Sequence, residues 1–388
     1  MEIKVSEVIQ EKLGERELVV YIIGAGFSAP LGIPTMGNFI SKSRDQLRQN
    51  REKFAYFEEV FHDFGRLHKV MNFFSSDQHN IEEILSILEM DEYGGGLPED
   101  ASKRRDRFLR YLSDVVRHHT PEIVPSPRAR QLEHRWAHSL ITDRNDLRPY
   151  TLMVANLFCL KVKWQKDGGI LFPFFNIDPD TRAAYSVISL NYDRILESVC
   201  EALNKKFHGA SSIPLKWATA ESAKSSGGGE VFLPYLAKLH GSVPAQDTEP
   251  PDIVPPTWSK GRISESVEQA WVLARALLAN ASHIRVLGYS LPESDAYIRH
   301  LLKSGILDNY NLKSFEILCL DDDGTVRARY ERLLRYPSSR FLNASIAGFL
   351  SRLSKSTSES GTLVEWTYNE LEASHSDIFR DADRLPRS

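Results

Sequence analysis

Cysteine is scarce in this chain of 388 residues, which has 3, at Cys159, Cys200 and Cys319. They lie far apart in apolar or helical surroundings, and none belongs to a C-x-x-C pair. A zinc centre built on cysteine is therefore excluded, and each thiol reads as a small core hydrophobe. Long apolar runs are missing as well. The longest, such as Val19 to Ile23, have strand length and fall far below the roughly 20 residues of a membrane helix. The opening MEIKVSEVIQEKLGERE lacks the apolar stretch of a secretory signal, so the expectation is a cytoplasmic protein without membrane association. Nor is there an excess of positive charge. Lys and Arg number 48 against 52 Asp and Glu, a net charge of −4, so no overall basic field draws in nucleic acid. There is no internal repeat. With 42% hydrophobic residues, the chain can bury one large core or two modest ones.

What the sequence does contain is an apolar strand that runs into glycine. Val19 to Pro34 reads VVYIIGAGFSAPLGIP. Gly24 and Gly26 permit positive φ and close approach to a ligand, and a helix starting near Ser28 aims its N–H groups at the same place, as a pyrophosphate site requires. Gly24-x-Gly26-x-x-Ala29 fits the glycine/alanine form of the dinucleotide fingerprint, and it also fits an ordinary tight strand-to-helix turn. The fingerprint's usual acidic companion, about 20 residues on, is misplaced. Asp45 has the spacing but lies in the polar helical stretch SKSRDQLRQN, which removes support from an ordinary dehydrogenase.

From Asn38 to Thr181 the chain reads as helices joined by loops. Asn80 with Glu83 caps a helix carrying Ile81, Ile84, Leu85 and Leu88; Phe108, Leu112 and Val115 mark another. Thr151 to Trp164 is apolar nearly all round, as in a buried helix, and Pro121, Pro125 and Pro127 mark a loop. From Ala184 onward strands alternate with helices, the pattern of a parallel sheet covered on both faces. The expected strands are Tyr185–Leu190, Leu236–Leu239, Ile284–Leu287 and Phe315–Leu320. Helices follow near Arg194–Leu203, Val267–Ala279, Asp295–Lys303 and Val326–Arg335. Lys224 to Gly229 reads as a flexible loop, and the residues after Asn369 as a mobile polar tail. The fold class is α/β, a Rossmann-like parallel sheet covered by helices with a large inserted helical subdomain. Its expected division is 1–37 with 182–345 for the sheet, 38–181 for the insert, and 346–388 for a last helix and tail.

Three motifs fall at expected strand ends, where open α/β sheets place their ligands. They are SLNYD at 189–193, KLHGS at 238–242 and GYSLPESD at 288–295. Separately, Asn191 reads equally as a helix cap, His240 as a turn histidine, and Ser290 with Glu293 as a capping box.

Taken in order, GAGFSAPLGIP, SLNYD, KLHGS and GYSLPESD resemble the sirtuin superfamily, specifically the bacterial sirtuin-like NAD hydrolases of antiphage defence. The match spans residues 19–37 and 186–330. The resemblance implies NAD as substrate, with Gly24, Ala25, Gly26 and Ser28 on its diphosphate. It places Asn191 and His240 beside the nicotinamide ribose as the catalytic pair. Gly288, Ser290 and Asp321 would line the adenosine half, and Asp193 belongs to the same set, chiefly as the brace of the Asn191 turn. Sirtuin deacylases carry a four-cysteine zinc module after their HG turn. Here VPAQDTEPPDIVPPTWSKGRIS follows instead, so no zinc is expected. The implied activity is that of an NAD glycohydrolase, a regulated NAD-depleting effector that yields nicotinamide and ADP-ribose. A non-catalytic NAD or ADP-ribose sensor and a zinc-free deacylase are the alternatives. The same resemblance implies a homo-oligomer and a partner such as a HerA-type ATPase or a short argonaute. Direct nucleic-acid binding is not expected; the charge run Lys103 to Arg107 reads as a partner surface or a solvated helix face.

Overall fold

A computed structural model of the chain describes residues 5–71, 81–93, 98–124, 142, 144–167, 170–206, 215–224, 231–246, 251–254, 264–356, 365–380 and 382–384. Asn80, Pro125, Pro127 and the glycine-rich loop at 225–229 lie outside the described residues. The strands in chain order are β1 (Glu17–Ile23), β2 (Leu160–Asp167), β3 (Ile170–Ile177), β4 (Ala183–Ser189), β5 (Leu236–Lys238) and β6 (Gly241–Ser242). They continue with β7 (Asp252–Ile253), β8 (His283–Leu287), β9 (Ser314–Cys319), β10 (Ser339–Asn343), β11 (Glu365–Thr367) and β12 (Asp383–Arg384).

The main sheet has 7 strands in the order β12-β10-β9-β8-β1-β4-β5. All its pairings are parallel except that of β12 with β10. From β1 the chain winds outward through β4 and β5, then returns to the other side of β1 with β8, β9 and β10. This is a doubly wound Rossmann arrangement, and its crevice opens where the winding direction reverses, at the carboxyl ends of β1 and β8.

Residues Leu18 to Ile23 of β1 are all buried, as a parallel strand between two helix layers must be. Side chains alternate between faces. Val19, Tyr21 and Ile23 share a core with Tyr150, Met153, Val199, Phe349 and Leu371. Leu18, Val20 and Ile22 share the opposite one with Ile9, Leu273, Leu277, Ile298 and Leu302. A third core belongs to a distinct helical subdomain, made by the helices Phe39–Gln49, Phe57–Met71, Ile81–Tyr93 and Pro98–His119. Tyr111 sits at its centre, edge-on to Phe57 with ring centroids 4.8 Å apart and bonded to the Ser43 hydroxyl at 2.7 Å. Val243 and Ile253, at the short β6–β7 hairpin, complete that core. In the charge run, Arg107 is turned inward onto Asp63 at 2.8 Å while Lys103 is exposed.

Two expectations fail. Helix does not persist through 38–181: the helix Arg148–Leu157 gives way at Cys159, where φ is 48°, to the antiparallel hairpin β2–β3. The stretch Thr151 to Trp164 thus spans a buried helix and a strand. The helix is apolar on nearly every side, but from Leu160 the sequence LKVKWQKD alternates apolar and polar residues, the period of a strand with one face covered, which a single-helix reading passes over. The residues after Asn369 are not a loose tail. The helix Leu371–Ile378 and β12 close over the sheet, and β11 adds a third strand to the hairpin.

Charge buried under that helix holds the closure in place. Tyr21, Arg285, Glu316 and Arg340 stand in register across four neighbouring strands. Arg285 makes a two-pronged pair with Glu372 at 2.8 and 2.7 Å and donates to the Tyr21 hydroxyl at 3.0 Å. Glu316 accepts from Arg340 and, at 2.6 Å, from the His375 ring. Burial pushes the His375 imidazole down from 6.5 to about 4. Burial would raise the Glu316 carboxyl, but His375 and Arg340 outweigh it and hold it at about 2. Both shifts describe a neutral imidazole donating its Nε2–H to an ionised carboxylate.

The unfolded chain takes up a proton at His375 near 6.5 and the folded chain only near 4, so stability is lost as pH falls through that window. Urea unfolding between pH 7 and 4.5 is expected to show a loss on the order of 3 kcal/mol from this group. His375→Gln, which keeps a donor and does not titrate, should flatten that limb.

Candidate active site

Four loops leave the carboxyl ends of β1, β4, β5 and β8, and main-chain hydrogen bonds tie them together. Gly24 N donates to Leu287 O (3.1 Å), Gly26 N to Gly288 O (2.9 Å) and Leu190 N to Ile23 O (3.0 Å). Leu239 N donates to Ser189 O (3.0 Å) and Val243 N to Tyr192 O (2.9 Å). The sequence-predicted Gly24, Gly26, Ser28, Asn191, His240 and Gly288 are therefore carried on one continuous rim.

The glycines serve this rim directly. A Cβ at Gly24 would lie 2.7 Å from Tyr289 Cβ, and one at Gly26 would lie 2.8 Å from Gly288 O. At Gly288, where φ is +65°, a Cβ would meet Gly26 C at 2.5 Å. The close approach expected between glycine and ligand is here an approach of loop to loop. The amides of Gly24, Gly26 and Phe27 are bonded to protein carbonyls, Phe27 N to Gly24 O at 2.8 Å. The helix expected near Ser28 is a single turn, Ala25–Ser28, followed by the 3-10 turn Ala29–Leu31.

Ser28 is buried and its Oγ accepts from Asn191 Nδ2 at 3.1 Å. The carboxamide is thereby fixed in orientation, and its Oδ1 is buried without a hydrogen-bond partner. Asp193 braces this turn: its Oδ1 accepts from Ile195 N at 3.2 Å, at the start of the helix Ile195–Lys206. Burial raises its carboxyl against the opposing pull of Lys238 and Ser28. Lys238 also donates to Asp193 O and pairs with Glu197 at 3.3 Å. The cap of that helix is thus Asp193, and Asn191 is left to the crevice.

His240, 5% exposed, follows β5 in a turn that only glycine completes. At Gly241 φ is +71° and a Cβ would lie 1.8 Å from Asp252 O. Val254 N donates to His240 O at 3.0 Å, and the Trp271 indole to Leu239 O at 3.0 Å. The imidazole faces the Tyr192 ring at 6.1 Å and the Asp295 carboxylate, Nε2 to Oδ2, at 4.0 Å. Asp295 escaped the sequence reading. Its expected place is the first residue of a helix, Asp295–Lys303, but the helix starts at Ala296 and the Asp295 side chain makes no capping bond.

The residues expected on the adenosine side are placed differently. The helix starts at Ala296 and Glu293 pairs with Arg332 at 3.2 Å, so Ser290 and Glu293 form no capping box. Ser290 is half-buried, with its carbonyl accepting from Arg329 at 3.3 Å. Both Asp321 oxygens accept backbone N–H groups, of Val326 at 3.0 Å and Arg327 at 2.9 Å. Asp321 therefore secures the start of the helix Thr325–Leu333. Asp45 is exposed within the helix Phe39–Gln49, where it pairs with Arg48, and does not follow a strand.

Among the described residues, no group of three or more His, Cys, Asp or Glu side chains is arranged to hold a metal ion. Burial pushes the Cys159, Cys200 and Cys319 thiols up to about 12. Among the described residues, no helix is long and apolar enough to cross a membrane.

No protein-family model matches the chain, and no curated protein matches it either. Among solved structures it is similar to a SIR2 protein bound to the inhibitor EX-527, 2'-O-acetyl-ADP-ribose and a deacetylated p53 peptide. Identity is 14%, over 91% of this chain and 100% of that one, with a TM-score of 0.31. A second, from a description of the structural basis of sirtuin substrate affinity, has 15% identity over 92% of this chain and 99% of that one, with a TM-score of 0.33. Similarity at this level leaves the assignment to the residues themselves.

Because the Gly26 Cβ direction points into Gly288, Gly26→Ala is expected to lower stability by about 1–3 kcal/mol or more, before any ligand is added. Thermal unfolding of the unliganded protein checks this against Gly37→Ala, whose Cβ would meet nothing within 4 Å.

Proposed function

We propose that the protein is an NAD glycohydrolase that cleaves the nicotinamide–ribose bond and releases nicotinamide and ADP-ribose. The observation that carries this reading is Asn191: a buried carboxamide, oriented by Ser28, whose Oδ1 has no protein partner on the rim that also bears His240. A buried acceptor left unmade costs about 1–3 kcal/mol, and a ribose hydroxyl or a water in the crevice supplies the missing donor.

The chemistry asks little of the protein. The C1'–N bond breaks with its electron pair going to the pyridinium nitrogen, so nicotinamide departs neutral and no general acid is needed. A water oxygen adds to the oxocarbenium-like C1', and the proton it sheds goes to His240. Asn191 orients the ribose or the water. Ser28 and the Gly24–Gly26 turn, with Ala25, form the diphosphate side. Gly288 and Ser290 border the adenosine side, with Asp321 behind them holding the helix Thr325–Leu333. No metal takes part.

Residues 1–37 and 182–345 would be the catalytic unit, with the helical subdomain inserted after Gly37 and the segment from 346 closing the sheet. The wider reading is a cytoplasmic NAD-depleting effector of bacterial antiphage defence, held inactive at rest as a homo-oligomer or by a partner such as a HerA-type ATPase or a short argonaute. Toxicity of NAD loss makes such control a requirement.

The test is nicotinamide release at saturating NAD by protein purified with its native genomic neighbours, with and without an acetylated peptide. His240→Ala should lose about 10²- to 10⁴-fold in turnover with most NAD affinity kept. Asn191→Ala should be comparably inactive, and dialysis against EDTA should change nothing. Hydrolysis by His240→Ala at the wild-type rate sinks the mechanism and favours an NAD or ADP-ribose sensor; release that depends on the peptide favours a deacylase.

A further inference from the structure

Asp295 is 1% exposed, a costly position for a carboxylate. Its Oδ2 accepts from the Tyr289 hydroxyl at 2.7 Å, and its Oδ1 has no hydrogen-bond partner. The Tyr289 carbonyl is in turn held by the Tyr330 hydroxyl at 2.8 Å. Between Tyr289 and Asp295 the chain folds back through Leu291, which is fully buried with φ at 50°. A left-handed leucine is uncommon and stores strain that the surrounding structure must hold. That turn, closed by Asp295 N on Pro292 O at 3.2 Å, brings the carboxylate back beneath the site. The group facing it is His240, whose Nε2 lies 4.0 Å from Asp295 Oδ2, beyond hydrogen-bond length and within ion-pair range.

We propose that Asp295 is the charge partner and positioning residue of His240, the two forming a carboxylate–imidazole dyad. The inference rests on the glycohydrolase reading for its catalytic consequence. As water adds to C1' and its proton passes to the imidazole, a cation forms against a carboxylate that is already buried and oriented. The attraction is stronger there than in water, and it falls on the oxygen that the Tyr289 hydroxyl already orients. Other charged groups near the ring are engaged elsewhere. Lys238, on the strand leading to it, is bound to Glu197 and to Asp193 O, and Asp193 to Ile195 N. From the hairpin, Asp252 is exposed and bonded to Ser266; behind Leu291, Arg299 donates to the carbonyls of Leu291 and Pro292. Tyr192 brings its ring at 6.1 Å and Tyr289 its hydroxyl, bonded to Asp295.

The experiment follows the His240 ring by NMR in full-length protein carrying 13C-labelled histidine, with His240→Gln to assign the signal. Asp295→Asn keeps the shape and an acceptor for Tyr289 while removing the charge. It should move the His240 titration midpoint to lower pH by about one unit. Tyr289→Phe, which leaves the carboxylate without its donor, should move it the opposite way. In parallel, Asp295→Asn should lower kcat for nicotinamide release about 10- to 100-fold, with KM for NAD within about threefold of wild type. The acid limb of its kcat/KM profile should shift with the ring. A His240 midpoint unmoved in both folded variants overturns the dyad, as does a loss of activity with no movement of the acid limb. If the wild type releases no nicotinamide, the hydrolase reading fails alone, and the ring titration still decides the pairing.

Discussion

Two loops meet through their main chains, Gly24 to Gly26 against Gly288, at distances no side chain admits. This contact fixes the spacing of β1 and β8 just beyond their last paired residues, where the winding of the sheet reverses. The short turn after β1 is pinned by it, and Ser28 with it. The segment that starts at Gly288 is launched from it toward Tyr289, Leu291 and Asp295. Glycine is therefore demanded by the architecture of the crevice before any nucleotide is considered, and a site aligned this way needs little rearrangement to orient a small set of polar groups.

The helical subdomain enters the chemistry through packing. β6 and β7 are two residues each, and a ribbon so short has no stability of its own. It is held because Val243 and Ile253 are buried in the aromatic core around Tyr111, with Tyr192 packed against the same core. The turn bearing His240 is thus clamped between the parallel sheet and the inserted helices. A shift of those helices bears directly on the ring that faces Tyr192 and Asp295.

Much of this was legible in the sequence, for identifiable reasons. Strands such as Ile284–Leu287 and Phe315–Leu320 stood out because strands covered on both faces must be continuously apolar, and they end within a residue or two of the observed positions. The motifs of Asn191 and His240 were expected at strand ends, and the structure carries both on the rim formed by the loops after β4 and β5. The hairpin β2–β3 was missed although Leu160 to Trp164 alternates apolar and lysine residues, because the expected apolar helix before it was extended through that alternation. The helix Leu371–Ile378 was hidden because its hold on the fold is long-range, Glu372 to Arg285 and His375 to Glu316. Asp295 was hidden because its place in the sequence is the first residue of an expected helix, which says nothing of the His240 ring it faces across the loops.

The buried ladder of Tyr21, Arg285, Glu316 and Arg340 also orders events during synthesis. Its strands are complete once residue 343 has emerged, but Arg285 and Glu316 receive Glu372 and His375 only some thirty residues later, and the edge of β10 is covered later still by β12. Until then a charged row stands open on the face of the sheet. A chain that stops short of Glu372 therefore carries every residue of the crevice without the layer that locks the sheet beneath it.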